Sequence, residues 1–135
     1  MTPRDEMALL LDHSVLKPEA TATDVAAGAA VVREWAIGFY CVQPWWVRTA
    51  ARELAGSAAK VVAVVGFPHG CEASAVKAEA AAIAVADGAG ELDMVLNVGA
   101  LKSGQETEVA ADIAAVVRVA GAVPVKVILE TAALA

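Results

Sequence analysis

Lys60-Val61-Val62-Ala63-Val64-Val65-Gly66-Phe67 is apolar at nearly every position after the first. A strand turns alternate side chains to opposite faces, so a run apolar at odd and even positions alike is covered on both sides. That is how the strands of a parallel sheet read, whereas a half-solvated antiparallel strand alternates. Comparable stretches lie on either side. Leu9 to His13 and Ile37 to Val42 precede it, and Glu91 to Val98 and Val125 to Glu130 follow.

Helical signals fill the gaps. Thr2-Pro3 reads as an N-cap followed by proline at the first helical position, opening a short helix to about Leu9. Thr21 and Asp24 have capping-box spacing and open a helix to about Trp35. Pro44 starts another, reaching Leu54 to Gly56. Glu72 to Asp87 is Ala-rich and closed by Gly88, and Ser103 with Glu106 has the spacing to begin a helix running to about Ala120. Strand and helix alternate with short connections, which predicts one α/β domain over residues 1–135. On pattern alone a doubly wound sheet and a (β/α)8 barrel both remain open. Charged residues within the strands, at Asp12, Asp93, Lys126 and Glu130, favour a barrel with a site at the C-terminal ends of its strands. The runner-up, a five-stranded flavodoxin-like sheet, wants a glycine-rich phosphate loop after the first strand, and His13 to Pro18 contains no glycine.

Among the 135 residues 59% are hydrophobic and 4% aromatic, the composition of a chain that builds a core. No apolar run approaches the roughly 18–20 residues needed to cross a bilayer, and no signal-peptide core follows Arg4, Asp5 and Glu6. The expectation is a soluble cytoplasmic protein. A net charge of -6 with scattered basic residues argues against nucleic acid or an anionic membrane as partner. Cys41 and Cys71 have no metal-ligand spacing and read as free thiols, Cys41 as a small buried hydrophobe.

Asp93 and Lys126 are the residues that demand an explanation. A charge in a core strand must be paired, exposed or part of a site. Parity puts Asp93 on the face of Val95, and Lys126 on the face of Ile128 and Glu130. Lys126 as an amine nucleophile is disfavoured, because a neighbouring carboxylate raises a lysine pKa. His13 and His69 lack clustered carboxylates, so neither a metal nor any other cofactor is expected. Glu72, Lys77 and Glu79 read as a solvated helix face, His69 and Cys71 as surface features, and one of Trp45 and Trp46 as core with the other exposed.

Five blocks carry a family resemblance. Leu11-Asp12-His13-Ser14-Val15-Leu16-Lys17-Pro18-Glu19-Ala20-Thr21 resembles the DHTLLKPEAT opening of deoxyribose-phosphate aldolases, with Ser14 and Val15 as replacements. Cys41-Val42-Gln43-Pro44-Trp45-Trp46-Val47 is similar to CVNPxWV, and Gly66-Phe67-Pro68-His69-Gly70 to GFPxG. Gly88 through Gly104 follows GADEIDMVINIGALKSG closely, and Lys126-Val127-Ile128-Leu129-Glu130-Thr131 matches KVILET.

The resemblance implies a metal-free class I aldolase on a (β/α)8 barrel, of which this chain covers the first five strands. It implies reversible cleavage of 2-deoxyribose 5-phosphate to glyceraldehyde 3-phosphate and acetaldehyde through a lysine Schiff base. Asp93 falls on the family's proton-relay aspartate. Lys126 falls on a lysine lining the interior, Asp12 on an aspartate near the substrate, and Cys41 on a cysteine facing the pocket. The Schiff-base lysine belongs to a sixth-strand KTSTG motif that these residues do not include, so the chain alone is expected to be inactive. The implied partners are a small phosphorylated sugar or aldehyde and further copies of the chain. Two other readings stay open: a non-catalytic barrel relic that binds or regulates, and a half-barrel completed by another chain.

Overall fold

The computed structural model describes all residues, 1–135. Its elements run in the order α1 (Pro3–Ala8), β1 (Asp12–Val15), α2 (Ala22–Glu34), β2 (Phe39–Val42), a 3₁₀ turn (Pro44–Trp46), α3 (Val47–Glu53), β3 (Lys60–Val65), α4 (Ser74–Ala86), β4 (Glu91–Val95), α5 (Val98–Lys102), α6 (Glu106–Ala120), β5 (Val125–Ile128) and α7 (Thr131–Leu134). All five strands are parallel and lie side by side in chain order.

That order decides between the two architectures. A right-handed crossover between adjacent parallel strands puts its helix on a fixed side of the sheet. With no reversal of strand order, every crossover helix falls on the same side, as in a barrel wall. A flavodoxin-like sheet needs a reversal, and there is none.

The main core lies between sheet and helices. Tyr40, Val42, Val61, Ala63, Val65, Leu92 and Met94 meet Val25, Ala29 and Val32 of α2, Val47 and Ala50 of α3, Ala81 and Ala84 of α4, and Val116 and Ala120 of α6. The opposite face carries a smaller cluster of Cys41, Val62 and Val64, flanked by Leu16, Phe39 and Phe67. Both faces carry buried apolar side chains, as the sequence implies, but unequally. Only one face has helices, and the other is the concave side on which the charged residues gather.

The capping boxes at Thr2 and Thr21 are formed, with Asp5 and Asp24 bonding back to the cap backbone. Gly28, inside α2, is explained by packing. A Cβ there would overlap the Tyr40 hydroxyl, which donates to the Val25 carbonyl at 2.7 Å. Trp46 packs against the core while Trp45 is exposed.

Several boundaries move. β1 begins at Asp12, because Leu9 and Leu10 belong to the turn that ends α1. Ser103 does not open α6; it closes α5, its hydroxyl donating to the Gly99 carbonyl at 2.8 Å. α6 starts at Glu106 with no side-chain cap. β4 stops at Val95, and Asn97 caps α5 by accepting from the Ala100 amide. β5 stops at Ile128, and Glu130 has a left-handed backbone (φ 52°), so it leaves the face it was expected to share with Lys126.

Lys77 is the largest correction. Expected in solvent, it is fully buried, its ammonium paired with Asp112 at 2.7 Å and donating to the Val95 carbonyl at 3.1 Å. The Ser74 hydroxyl donates to the other Asp112 oxygen at 2.7 Å. The pair ties α4 to α6 above the end of β4. The Lys77 chain passes over Gly66, where a Cβ would come within 3.2 Å of it.

Candidate active site

Sheet register brings the charged residues together. Asp93 is the cross-strand partner of Lys126 on β5 and of Val64 on β3. Two residues earlier on β4, Glu91 shares this parity and pairs with Val62, in the row that continues through Cys41 to Ser14. Asp12 enters from the far edge, at the start of β1. The concave curvature of the sheet closes the gap. Lys126 Nζ lies 2.9 Å from Glu91 Oε1, 3.3 Å from Asp12 Oδ2 and 3.6 Å from Asp93 Oδ1.

One ammonium thus faces three carboxylates, two of which are largely removed from water. The side chains of Glu91 and Asp93 are 11% and 13% exposed, against 35% for Asp12 and 51% for Lys126. Only Asp12 meets Lys126 in hydrogen-bonding geometry, while Glu91 Oε1 and Asp93 Oδ1 are buried without a hydrogen-bond partner.

Charge and burial compete at Asp93. Burial raises its pKa, Lys126 pulls it down, and Glu91 and Asp12 push it up; the outcome is a carboxyl at about 6. At Lys126 burial favours the neutral amine, but the Glu91, Asp93 and Asp12 carboxylates outweigh it and hold the ammonium above its ordinary value. Cys41 is buried on the same face, where burial first and the nearby carboxylates next drive its thiol up to about 12.

These features divide the labour. A carboxyl at about 6 holds or releases a proton near neutral pH, as a general acid–base group must. Lys126 stays charged, which suits electrostatic positioning and opposes imine formation. The Cys41 thiol, buried and shifted to about 12, stays protonated and is a poor nucleophile. Carboxylate oxygens of Asp12, Glu91 and Asp93 lie within 4.8 Å of one another, close enough to share a cation. Here the Lys126 ammonium contacts all three and is that cation. His13 stacks on Tyr40 on the helix-facing side of the sheet, and His69 is exposed in the loop after β3.

The structure therefore brings together all four residues singled out in the sequence: Asp12, Cys41, Asp93 and Lys126. It adds Glu91, which the sequence reading passed over as the start of a strand. The missed signal was parity, since residues 91 and 93 must face the same way.

A family model described as DeoC/LacD family aldolase matches residues 6–134. The chain belongs to the DeoC/LacD aldolase family. It is 49% identical over 135 residues to the deoxyribose-phosphate aldolase of Mycolicibacterium paratuberculosis, covering 99% of this chain and 60% of that protein. It is 48% identical over 124 residues to that of Brevibacillus brevis, covering 92% and 56%. Among solved structures it resembles the tetrameric deoxyribose phosphate aldolase from Aeropyrum pernix, with a TM-score of 0.84, 28% identity and cover of 94% and 53%. A deoxyribose-phosphate aldolase candidate from Coccidioides immitis gives a TM-score of 0.95 at 34% identity, covering 99% and 53%. The chain spans 60% or less of the length of these relatives. This family chain contains no helix long and apolar enough to cross a membrane.

Proposed function

We propose that this chain carries the proton-handling part of a deoxyribose-phosphate aldolase site. The observation that carries the reading is the buried Asp93 carboxyl, 3.6 Å from the Lys126 ammonium, with burial raising its pKa to about 6. In the reaction, a lysine amine condenses with the C1 aldehyde of 2-deoxyribose 5-phosphate, losing water to form an imine. The protonated imine takes up the electron pair of the C2–C3 bond as that bond breaks. Asp93 helps to accept the proton leaving the C3 hydroxyl, which frees glyceraldehyde 3-phosphate, and to return a proton to C2 of the enamine. Hydrolysis then yields acetaldehyde. Lys126 and Asp12 orient the polar substrate, and Cys41 lines the pocket.

The imine-forming lysine is assigned to a sixth strand, by the resemblance to the KTSTG motif, rather than to any lysine of these residues. Lys126 is held protonated and Lys77 is buried against Asp112. The tetrameric relative from Aeropyrum pernix supports self-association of the whole protein.

The test is a chimera. The 135 residues replace the matching part of the Mycolicibacterium paratuberculosis relative, and cleavage of 2-deoxyribose 5-phosphate is measured. Turnover is expected, with a loss of about 100-fold or more in Asp93→Asn. A folded chimera without turnover, or one indifferent to that substitution, counts against the reading. The 135-residue chain alone, treated with acetaldehyde and borohydride, is expected to gain no adduct mass.

A further inference from the structure

Glu91 is 8% exposed, one pleat nearer the N-terminal end of the sheet than Asp93, roughly 6–7 Å along the strand. Sites in this architecture lie at the C-terminal ends of the strands, so Glu91 sits beneath the candidate site and away from substrate. It nevertheless makes the shortest contact to Lys126, at 2.9 Å against 3.3 Å for Asp12 and 3.6 Å for Asp93. A buried carboxylate next to a core is costly unless it is paired. An apolar residue would serve a purely structural role better.

From this placement we infer that Glu91 is a positioning residue of the site: its carboxylate anchors the Lys126 ammonium from below and leaves Asp93 as the carboxyl free to carry a proton. The groups facing Asp93 are Lys126 from β5, Glu91 from its own strand, Asp12 from β1 and the Cys41 thiol from β2; β3 presents Val62 and Val64. One positive charge cannot neutralise three carboxylates. With Glu91 nearest to Lys126 and Asp12 the one in hydrogen-bonding geometry, Asp93 is the carboxylate farthest from the ammonium. Its raised pKa, to which Glu91 contributes directly, agrees with that ranking.

The inference rests on the reading of Asp93 as the proton relay, but its test needs neither substrate nor turnover. Carboxyl-carbon NMR on the 135-residue chain, with the Asp93 signal assigned through Asp93→Asn, gives the titration midpoint. Glu91→Gln removes the charge and keeps the shape. Lys126 is then released toward Asp93 and a repulsive charge is lost, and both effects favour the Asp93 carboxylate. The midpoint is expected to fall by about one pH unit, a tenfold change in proton affinity. Asp12→Asn, at a more hydrated position, is expected to move it less. Glu91→Met keeps length and apolar packing and is expected to reproduce the shift of Glu91→Gln. An unmoved midpoint, or a larger shift in Asp12→Asn, overturns the assignment. So does a chain that unfolds with either Glu91 replacement, because Glu91 is then a structural residue. A chimera without turnover beside a shifted midpoint would instead fault the proposed function.

Discussion

Asp93→Asn gives the sharpest test of the electrostatics, because it converts a pKa into a stability difference. In the unfolded chain Asp93 ionises near its ordinary 3.8, and in the fold near 6. Between those values the folded state holds a proton that the unfolded state has lost. Stability therefore falls as pH rises, by about 1.4 kcal/mol per unit for this one group. The contribution is fully present below 3.8 and gone above about 6, amounting to roughly 3 kcal/mol across the window. The side chain is only 13% exposed, so solvent screening removes little of it. Asparagine resembles the protonated carboxyl at every pH. Urea unfolding followed by far-UV circular dichroism, from pH 4 to 7.5, should show the variant gaining on the parent as pH rises. The difference between the two curves should change by about 2–3 kcal/mol, mostly between pH 4 and 6.5. Curves that stay parallel across that range would refute the claim that Asp93 is held protonated by burial and by Glu91 and Asp12.

Removing one member of the buried Lys77–Asp112 pair by Lys77→Met strands a charge, and should cost about 3–5 kcal/mol in denaturant unfolding. The double variant Lys77→Met with Asp112→Leu should recover most of that loss; equal damage from both would contradict the pairing. Iodoacetamide at pH 8 should label exposed Cys71 and spare Cys41, whose thiol is buried and shifted to about 12, so the native chain should gain a single adduct in intact mass. Gly28→Ala should lower the thermal midpoint by an overpacking cost of about 1–3 kcal/mol, because the new Cβ meets the Tyr40 hydroxyl. Tyr40→Phe should relieve part of that cost in the double variant.

Near-continuous apolar strands and alternating helices announced a parallel α/β sheet from the sequence alone. The N-cap at Thr2 and the capping box at Thr21 were legible because such caps close over three residues and need nothing from the rest of the chain. Asp93 and Lys126 were conspicuous because a charge inside an apolar strand must answer for itself locally. Where local signals competed, the reading failed: Ser103 had capping-box spacing and became the end of the preceding helix.

Tertiary structure decided the rest. Strand order depends on which edges meet, which no single segment encodes, and it alone separates a barrel wall from a doubly wound sheet. α4 is Ala-rich on all sides, so its pattern does not show that Lys77, Ala81 and Ala84 form the buried face. The partner that makes a buried lysine tolerable, Asp112, is 35 residues away. Glu91 drew no notice as a strand-opening residue until register set it against Lys126. Asp12 and Lys126, 114 residues apart, meet because the sheet curves. A sequence reveals where a charge is out of place; only the fold determines which opposite charge comes within 3–4 Å, and therefore which proton is held.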